Sequence, residues 1–346
     1  MRGADRHSSC ISQYEVFSQL RFPLIVLVTF AHSYAAVDSG YSLLGSAWNT
    51  CEFLKLLVSQ TLVKVAVPVF FIMSGYLFFA NMPLWDWHAY AGKLRRRAAS
   101  LLLPYVVWNV LMALKLRVFS WRIFWDYIGE AGQQTDWFGQ HHLMTAPLNM
   151  PLWFLRDLMV MALLAPVVYW SVRRLGFWLL GVLMVVYLSG VCPFVPGLSA
   201  YAVFFFTFGA FFAIRQRDLL CALRRVETVA YVLSALFGLA MLLSYHETVF
   251  SSLMLAFRLT GAVAVFCLAG RVMRFTARRL PASVSGAAYF IYLAHFVLFF
   301  SFVDTAFFAV FGSSVAALSL HYLLAPLIKA ALFVGLWQVW RAVRGR

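Results

Sequence analysis

The sequence predicts an all-α, polytopic membrane protein, and three observations support this class. Of its 346 residues, 63% are hydrophobic and only 12% are charged, whereas about a quarter of the residues are charged in soluble proteins. The mean hydropathy is +0.81. The apolar runs continue for roughly 15 to 25 residues, which suits membrane helices, whereas a β-barrel would show alternating strands of about ten residues.

We place about ten membrane spans, and the positions of Lys and Arg set their orientation. The spans fall near residues 20–37, 56–80, 100–116, 152–171, 177–192, 200–214, 228–245, 251–270, 285–304 and 319–341. If the N-terminus is cytosolic, most of the 28 Lys and Arg residues lie in cytosolic segments. The positive-inside rule therefore predicts an N-in, C-in topology. The net charge of +15 then reflects topology, and we expect no nucleic-acid partner.

Residues 1–346 are expected to form a single transmembrane domain, with a short polar cytosolic segment at residues 1–19. That segment has no apolar core, so the first span is expected to act as a retained signal anchor. Residues 117–150 contain five aromatic side chains among polar residues: Trp121, Trp125, Tyr127, Trp137 and Phe138. They are predicted to form an interfacial loop on the outer leaflet, which either anchors the protein or covers an acceptor site. Cys51 and Cys192 both fall at outer ends of spans, and the sequence alone does not decide whether they pair.

No metal site is predicted. His141 and His142 are adjacent, so on a helix their side chains would point about 100° apart and form a poor pair of ligands.

The first span carries Arg21 at its edge and His32 within its apolar stretch. A buried imidazole is costly at membrane depth, so it indicates a function. The eleven-residue separation places both side chains on one helical face, about 16 Å apart along the axis. One residue would lie near a membrane surface and the other near the midplane. This arrangement suits a cation that binds a phosphorylated carrier and a base that acts on the far end of that carrier.

The second and third spans contain two further candidate features. Pro68 and the Ser74–Gly75 pair predict a kinked or locally unwound helix, or else close helix packing through small residues. The cluster Arg95, Arg96 and Arg97 is either a topology signal or a phosphate-binding group.

The fourth and ninth spans contain buried polar residues. Trp153, Arg156 and Asp157 lie near the start of the fourth span. Asp157 is expected to orient an imidazole or to help deprotonate an acceptor, or else only to neutralise Arg156 or Arg258. His295 reaches mid-depth in the ninth span, and either a structural or a chemical role is open.

Four cations fall within spans, and Asp157 is the only carboxylate expected at that depth. These cations are Lys64, Arg156, Arg258 and Lys329. Unpaired cations at this depth are costly, so we hypothesise a cationic, outward-facing cavity for an anionic acceptor such as a phosphate-linked or acidic saccharide. The alternative is that these cations pair with helix C-terminal carbonyls and tyrosines.

Together these segments resemble the acyltransferase-3 family of integral-membrane acyltransferases. The resemblance rests on five motifs that occur in order: Arg-x10-His at 21–32, Pro-Val-Phe-Phe-Ile-Met-Ser-Gly-Tyr at 68–76, the basic run leading to Leu-Pro-Tyr-Val-Val-Trp-Asn at 103–109, Leu-Trp-Phe-Leu-Arg-Asp-Leu at 152–158, and Tyr-Phe-Ile-Tyr-Leu-Ala-His at 289–295.

This resemblance implies a bacterial inner-membrane O-acyltransferase. Such a protein moves an acyl group, usually acetyl, from cytosolic acyl-CoA to a hydroxyl of an envelope polysaccharide, a lipid-linked sugar or another extracytoplasmic acceptor. No cofactor is expected, since acyl-CoA is a substrate, and the remaining partners are membrane lipids. His32, as general base or acyl carrier, and Asp157 would be catalytic. The substrates would bind to Arg21, Ser74, Gly75, Arg95, Arg96, Arg97, Trp153, Arg156, Arg258 and His295. The alternative is a transporter or flippase of an anionic envelope lipid or saccharide.

Overall fold

The computed structural model describes residues 12–32, 37, 41, 43–45, 48–82, 84–116, 147–190, 197–276, 279–298 and 300–344. Within these residues the regular structure is helical and contains no β-strand, which confirms the all-α class. Residues 1–11, Cys192 and most of the predicted interfacial loop, including His141 and His142, lie outside the described residues. The possible pairing of Cys51 with Cys192 therefore stays a prediction.

The first half of the described chain contains five α-helices, two of which continue through irregular helical turns. Helix α1 is Gln13–Ala31, so it begins within the segment 1–19 that was expected to precede the first span. Helix α2 (Thr50–Lys55) continues through a π-helical segment (Leu56–Thr61) and a 3-10 segment (Leu62–Val65) into α3 (Ala66–Phe79). Helix α4 (Trp87–Arg97) continues through π-helical residues Ala98–Leu102 into α5 (Leu103–Leu116).

The second half follows a 3-10 turn at Met150–Leu152. Its helices are α6 (Trp153–Leu163), α7 (Ala165–Leu175), α8 (Phe177–Ser189), α9 (Ala200–Ile214), α10 (Leu219–Arg224), α11 (Glu227–Leu243), α12 (Val249–Phe275), α13 (Ala282–Ser285), α14 (Ala288–Ala294), α15 (Ser301–Phe311) and α16 (Val315–Arg344). The predicted span 285–304 is therefore interrupted between α14 and α15.

By length and composition, five helical segments of the described chain can cross a membrane. They are Gln13–Ala31, Thr50–Phe79, Trp87–Leu116, Val249–Phe275 and Val315–Arg344. A sixth is counted if Met150–Leu163 and Ala165–Leu175, which are bent by 63°, form one span. Pro166 lies in the first turn after this bend, where its missing N–H is tolerated.

The irregular part of the second predicted span lies ahead of Pro68 and not at Ser74–Gly75. Proline has no N–H to donate four residues back, and the π-helical and 3-10 segments end just before it, at Val65. Helix α3 then runs unbroken through Ser74 and Gly75.

Close helix packing explains Gly75 instead. A methyl group added to Gly75 would lie 2.0 Å from the backbone oxygen of Phe206, and one added to Gly209 would lie 1.9 Å from that of Ile72. Each glycine thus lets the backbones of α3 and α9 touch. This contact fixes the rotation of α3, and the preceding residue, Ser74, faces a cavity.

Candidate functional site

A cavity of about 260 Å³ lies among α1, α3, α6 and α14. Helix α1 contributes Arg21, Ile25, Val28 and His32 to its lining. These residues recur every three or four positions, which is the spacing of one helical face. Arg21 and His32 therefore share a face, as their spacing predicted, and they are separated by about 16 Å along the axis of α1.

One end of the cavity is cationic. Arg21 from α1 and Arg97 from the last turn of α4 both line it, and the two guanidinium groups are close enough to interact electrostatically. The Arg97 guanidinium lies 5.9 Å from the ring centroid of Phe78. In the described residues neither arginine forms an ion pair with a carboxylate. The planar guanidinium fork matches the geometry of a phosphate group, so this end can bind a phosphorylated ligand.

The other two arginines of the basic cluster point away from this end. Arg95 and Arg96 are exposed, whereas Arg97 is half-buried, and only Arg97 is among the residues that line the cavity. The helical step of about 100° per residue separates the three side chains around α4.

His32 lies at the opposite end, directly after α1. Hydrogen bonds between helices fix this end of α1. Ser59 Oγ donates to the backbone oxygen of Phe30 at 2.9 Å and accepts from the Tyr322 hydroxyl at 2.7 Å. The His32 ring packs against His295, with centroids 5.3 Å apart, and against Phe296, with centroids 5.8 Å apart.

The protein itself fixes the orientation of the His295 ring. Its Nδ1 lies 2.9 Å from the backbone oxygen of Tyr292 and 3.1 Å from that of Ile291. A carbonyl oxygen can only accept, so the hydrogen of the neutral ring is assigned to Nδ1 and the lone pair to Nε2. His295 is 6% exposed, and its Nε2 has no hydrogen-bond partner in the described residues.

Asp157 is engaged by other residues. It is 1% exposed, accepts hydrogen bonds from the Arg156 Nη2 and Nε at 3.0 and 3.1 Å, and accepts one from Ser199 at 3.1 Å. In the described residues its carboxylate makes no hydrogen bond to either imidazole. The geometry therefore corresponds to the alternative in which Asp157 neutralises Arg156.

The remaining predicted residues divide between the cavity and its surroundings. Ser74 and Trp153 line the cavity, and Gly75 packs against α9. The Arg258 guanidinium lies 5.1 Å from the ring centroid of Tyr201, and that ring in turn contacts Trp153, with centroids 6.4 Å apart. Arg258 thus lies behind the aromatic wall of the cavity.

The expectation that Asp157 is the only carboxylate among the buried cations is wrong for Lys329. The Lys329 Nζ lies 2.8 Å from the Asp304 Oδ2, and His321 Nε2 lies 2.9 Å from the Oδ1 of the same residue. Helix α15 presents Asp304 to α16, so Lys329 takes no part in an unpaired cationic cavity. Lys64 agrees better with the hypothesis of a cationic cavity, since it interacts electrostatically with both His32 and Arg258.

Two cavity residues, Tyr289 and Tyr292, were missed from the sequence. The hydroxyl of Tyr292 donates to the backbone oxygen of Pro151 at 2.6 Å, and that of Tyr289 donates to the backbone oxygen of Ser100 at 2.5 Å. Their three-residue spacing, which continues to His295, would have placed them near one helical face. No cluster of three metal-ligating side chains occurs in the part of the chain that the structure describes.

Comparisons with known proteins identify the family of the chain. The chain is similar to the succinoglycan biosynthesis protein ExoH of Rhizobium meliloti (strain 1021), with 27% identity over 165 residues, which are 45% of this chain and 42% of that protein. The chain thus covers less than half of the relative's length. No solved structure matches significantly. The acyltransferase-3 family model, described as an acyltransferase domain, matches residues 17–339, and the chain therefore belongs to this family.

Proposed function

We propose that the protein is a membrane O-acyltransferase that moves an acyl group, with acetyl expected, from acyl-CoA to a hydroxyl of an extracytoplasmic polysaccharide or lipid-linked sugar. One observation carries this proposal: a single cavity has two arginines at one end and His32 at the other. Membership of the acyltransferase-3 family supports the reaction class. The name of the relative, a succinoglycan biosynthesis protein, supports a polysaccharide acceptor.

The cavity suits the shape and charge of acyl-CoA. Its phosphates would bind to Arg21 and Arg97, because charge-assisted hydrogen bonds from arginine to phosphate are strong. The pantetheine arm, when extended, is of the same order as the rise of about 16 Å from Arg21 to His32. Apolar side chains such as Val28, Met73 and Leu77 line the path between them. The thioester would then lie beside His32.

Two chemical routes are open at His32. As a general base, a ring nitrogen takes the proton of the acceptor hydroxyl while that oxygen bonds to the thioester carbon. The carbon–sulfur bond breaks, and the thiolate leaves as CoA after it takes the proton from the imidazolium. As a nucleophile, the ring nitrogen first displaces the thiolate, which leaves as CoA with the proton that the acylated ring gives up, so that an acyl-imidazole remains. The acceptor hydroxyl then displaces the imidazole, which takes up the hydroxyl proton.

The acceptor is proposed to approach the His32 end. Lys64 and Arg258 interact electrostatically near this end, and the Arg156–Asp157 pair lies in α6, whose Trp153 lines the cavity. An anionic saccharide would offset the charge of these cations. We propose that Asp157, while it is bound to Arg156, helps to deprotonate the acceptor hydroxyl from this side.

We propose that the chain has about ten spans in the bacterial inner membrane, with both termini in the cytosol, because the basic clusters then lie on the cytosolic side. In this topology Arg21 and Arg97 would lie at the cytosolic face. Acyl-CoA would enter there, and the extracytoplasmic acceptor would meet the acyl group near mid-depth.

The test measures turnover of radiolabelled acetyl-CoA by the purified protein in detergent. We expect the wild-type protein to consume acetyl-CoA. In His32→Ala the turnover rate should fall by about 10²- to 10⁴-fold, which is the usual contribution of general acid–base catalysis. The matched control is His88→Ala, because His88 is exposed at the start of α4, and this variant should keep wild-type turnover. The flippase alternative would be favoured if the wild-type protein consumed no acetyl-CoA but moved an envelope lipid between the two leaflets of a liposome membrane.

A further inference from the structure

We propose that His295 is a positioning residue for His32: its Nε2 accepts a hydrogen bond from the His32 ring and so holds that imidazole in its reactive orientation. This inference rests on the proposed function, since it concerns the base of that reaction. His295 then has a positioning role and not the substrate-binding role expected from the sequence. It also takes the role of orienting an imidazole, which the sequence suggested for Asp157.

The first argument is that His295 has a fixed tautomer. Its Nδ1 donates to the backbone oxygens of Tyr292 and Ile291, which are in the same helical turn. The neutral ring can therefore offer only a lone pair at Nε2. A hydrogen-bonded second nitrogen is also the usual device by which a protein sets the orientation and basicity of an imidazole.

The second argument is that this lone pair is buried and unused in the described residues. Buried polar atoms almost always have a partner, and one without a partner calls for an explanation. The neighbouring ring is that of His32, with centroids 5.3 Å apart and planes inclined by 46°. Because ring nitrogens lie at the ring edge, rotation of the His32 ring can bring an N–H within about 3 Å of Nε2, the normal hydrogen-bond distance.

The third argument concerns charge. When His32 takes the hydroxyl proton on one nitrogen, its other nitrogen keeps its hydrogen and donates it to Nε2 of His295. The hydrogen bond is then charge-assisted, and such bonds are roughly twice as strong as neutral ones. No proton passes to His295, because the proton on His32 goes to the departing thiolate. The interaction thus strengthens as the imidazolium forms, which lowers the barrier more than it tightens substrate binding.

The experiment uses two substitutions that each keep one half of the His295 ring. In His295→Asn the amide nitrogen can replace Nδ1 and keep the bond to Tyr292, but nothing occupies the Nε2 position. In His295→Gln the side-chain oxygen reaches the Nε2 position and can accept from His32. We expect His295→Asn to lower kcat by about 10- to 100-fold with an unchanged KM for acetyl-CoA, the effect of losing one hydrogen bond to a charged group. His295→Gln should keep kcat within about fivefold of wild type.

A second arm tests whether His295 acts through His32. In a His32→Ala background, His295→Asn should cause no further loss, because residues that act as one unit are not additive. Equal losses in His295→Asn and His295→Gln, or a further loss on top of His32→Ala, would overturn the inference and leave a packing role. A wild-type protein without acetyl-CoA turnover would overturn the proposed function together with it. Turnover that is lost in His32→Ala but kept in His295→Asn would overturn this inference alone.

Discussion

Two groups of basic side chains in this helical bundle have very different surroundings. At the cationic end of the cavity, Arg21 and Arg97 lie close together, and neither forms an ion pair with a carboxylate in the described residues. At the contact between α15 and α16, the Lys329 ammonium and the imidazole of His321 share the carboxylate of Asp304. The first group has charge to offer to a ligand, whereas the second group is already neutralised by the protein.

The difference indicates which charges act on substrates. Neighbouring like charges repel each other, and Arg21 is exposed while Arg97 is half-buried. Two adjacent arginines that line a cavity without carboxylates therefore suit an anionic ligand. A charge that is matched within the protein mainly affects how two helices pack. Substitutions at the two sites should therefore change different quantities: substrate affinity at the cavity and the free energy of unfolding at the α15–α16 contact.

The largest effect is expected at the cavity. The double variant Arg21→Gln, Arg97→Gln should raise the KM for acetyl-CoA by about 10²- to 10³-fold, because each arginine can form a charge-assisted hydrogen bond to phosphate. The value of kcat at saturating acetyl-CoA should stay near that of wild type, since His32 is untouched. Steady-state kinetics of the purified protein measure both quantities.

The adjacent arginines supply the control. Arg95→Gln, Arg96→Gln removes the same formal charge from exposed positions of α4 and should change the KM by no more than about threefold at physiological salt. Acetyl-pantetheine, which lacks the phosphates, should be used equally by wild type and by the Arg21→Gln, Arg97→Gln variant. If the control raises the KM as strongly, general surface charge and not a phosphate site governs donor binding.

The second prediction concerns the ion pair. Asp304→Asn leaves the Lys329 ammonium, whose side chain is 9% exposed, without its carboxylate. We expect the free energy of unfolding to fall by about 1 to 3 kcal/mol, at the lower end for buried pairs because Asp304 is partly exposed. The KM for acetyl-CoA should not change. Thermal unfolding in detergent and donor kinetics measure the two effects separately.

Removing both charges should relieve this loss. The double variant Asp304→Asn, Lys329→Met has no unmatched ammonium and should recover part of the lost stability, since the uncompensated charge is the main penalty. A double variant that is less stable than Asp304→Asn would mean that Lys329 contributes packing beyond its charge. A raised KM for acetyl-CoA in Asp304→Asn would place this pair with the cavity and break the comparison.

The relative placement of Arg21 and His32 could be predicted from the sequence because both residues belong to one helical segment. Helical periodicity is local, so the eleven-residue spacing of Arg21 and His32 was enough to place them on one face. The same spacing rule separates the side chains of Arg95, Arg96 and Arg97, but it does not say which of them faces the cavity. That depends on how α4 packs against α6, which is a tertiary property.

The pairs between distant helices were not predictable in this way. Asp304 and Lys329 are 25 residues apart on two helices, and their contact depends on the break between α14 and α15. The contact between His32 and His295 likewise joins the C-terminal ends of α1 and α14, which are far apart in the sequence. Gly75 shows a related limit: the sequence allowed either a kink or close packing, and only the approach of α9 decides between them.

The smallest effect is expected at Arg258, whose charge could act on a substrate, as in the first group, or in helix packing, as in the second. Its guanidinium lies over Tyr201, and its charge interacts with that of Lys64 near the acceptor end. We expect Arg258→Gln to leave the KM for acetyl-CoA unchanged and to reduce the preference for an acidic over a neutral oligosaccharide acceptor by about 3- to 10-fold, the range of a single partly buried charge interaction. Competition between carboxylated and uncharged forms of one oligosaccharide, followed by mass spectrometry of the acylated products, measures this ratio.

Tyr201→Leu separates the two possible roles of Arg258. It removes the ring that supports the guanidinium but keeps the charge, so the preference for the acidic acceptor should fall less than in Arg258→Gln. If Arg258→Gln leaves the preference unchanged and only lowers the thermal stability, Arg258 behaves like Lys329, as a cation that the protein uses for packing. The acceptor end would then recognise its saccharide through Lys64 and neutral contacts, and the charge available to substrates would lie mainly at the donor end of the cavity.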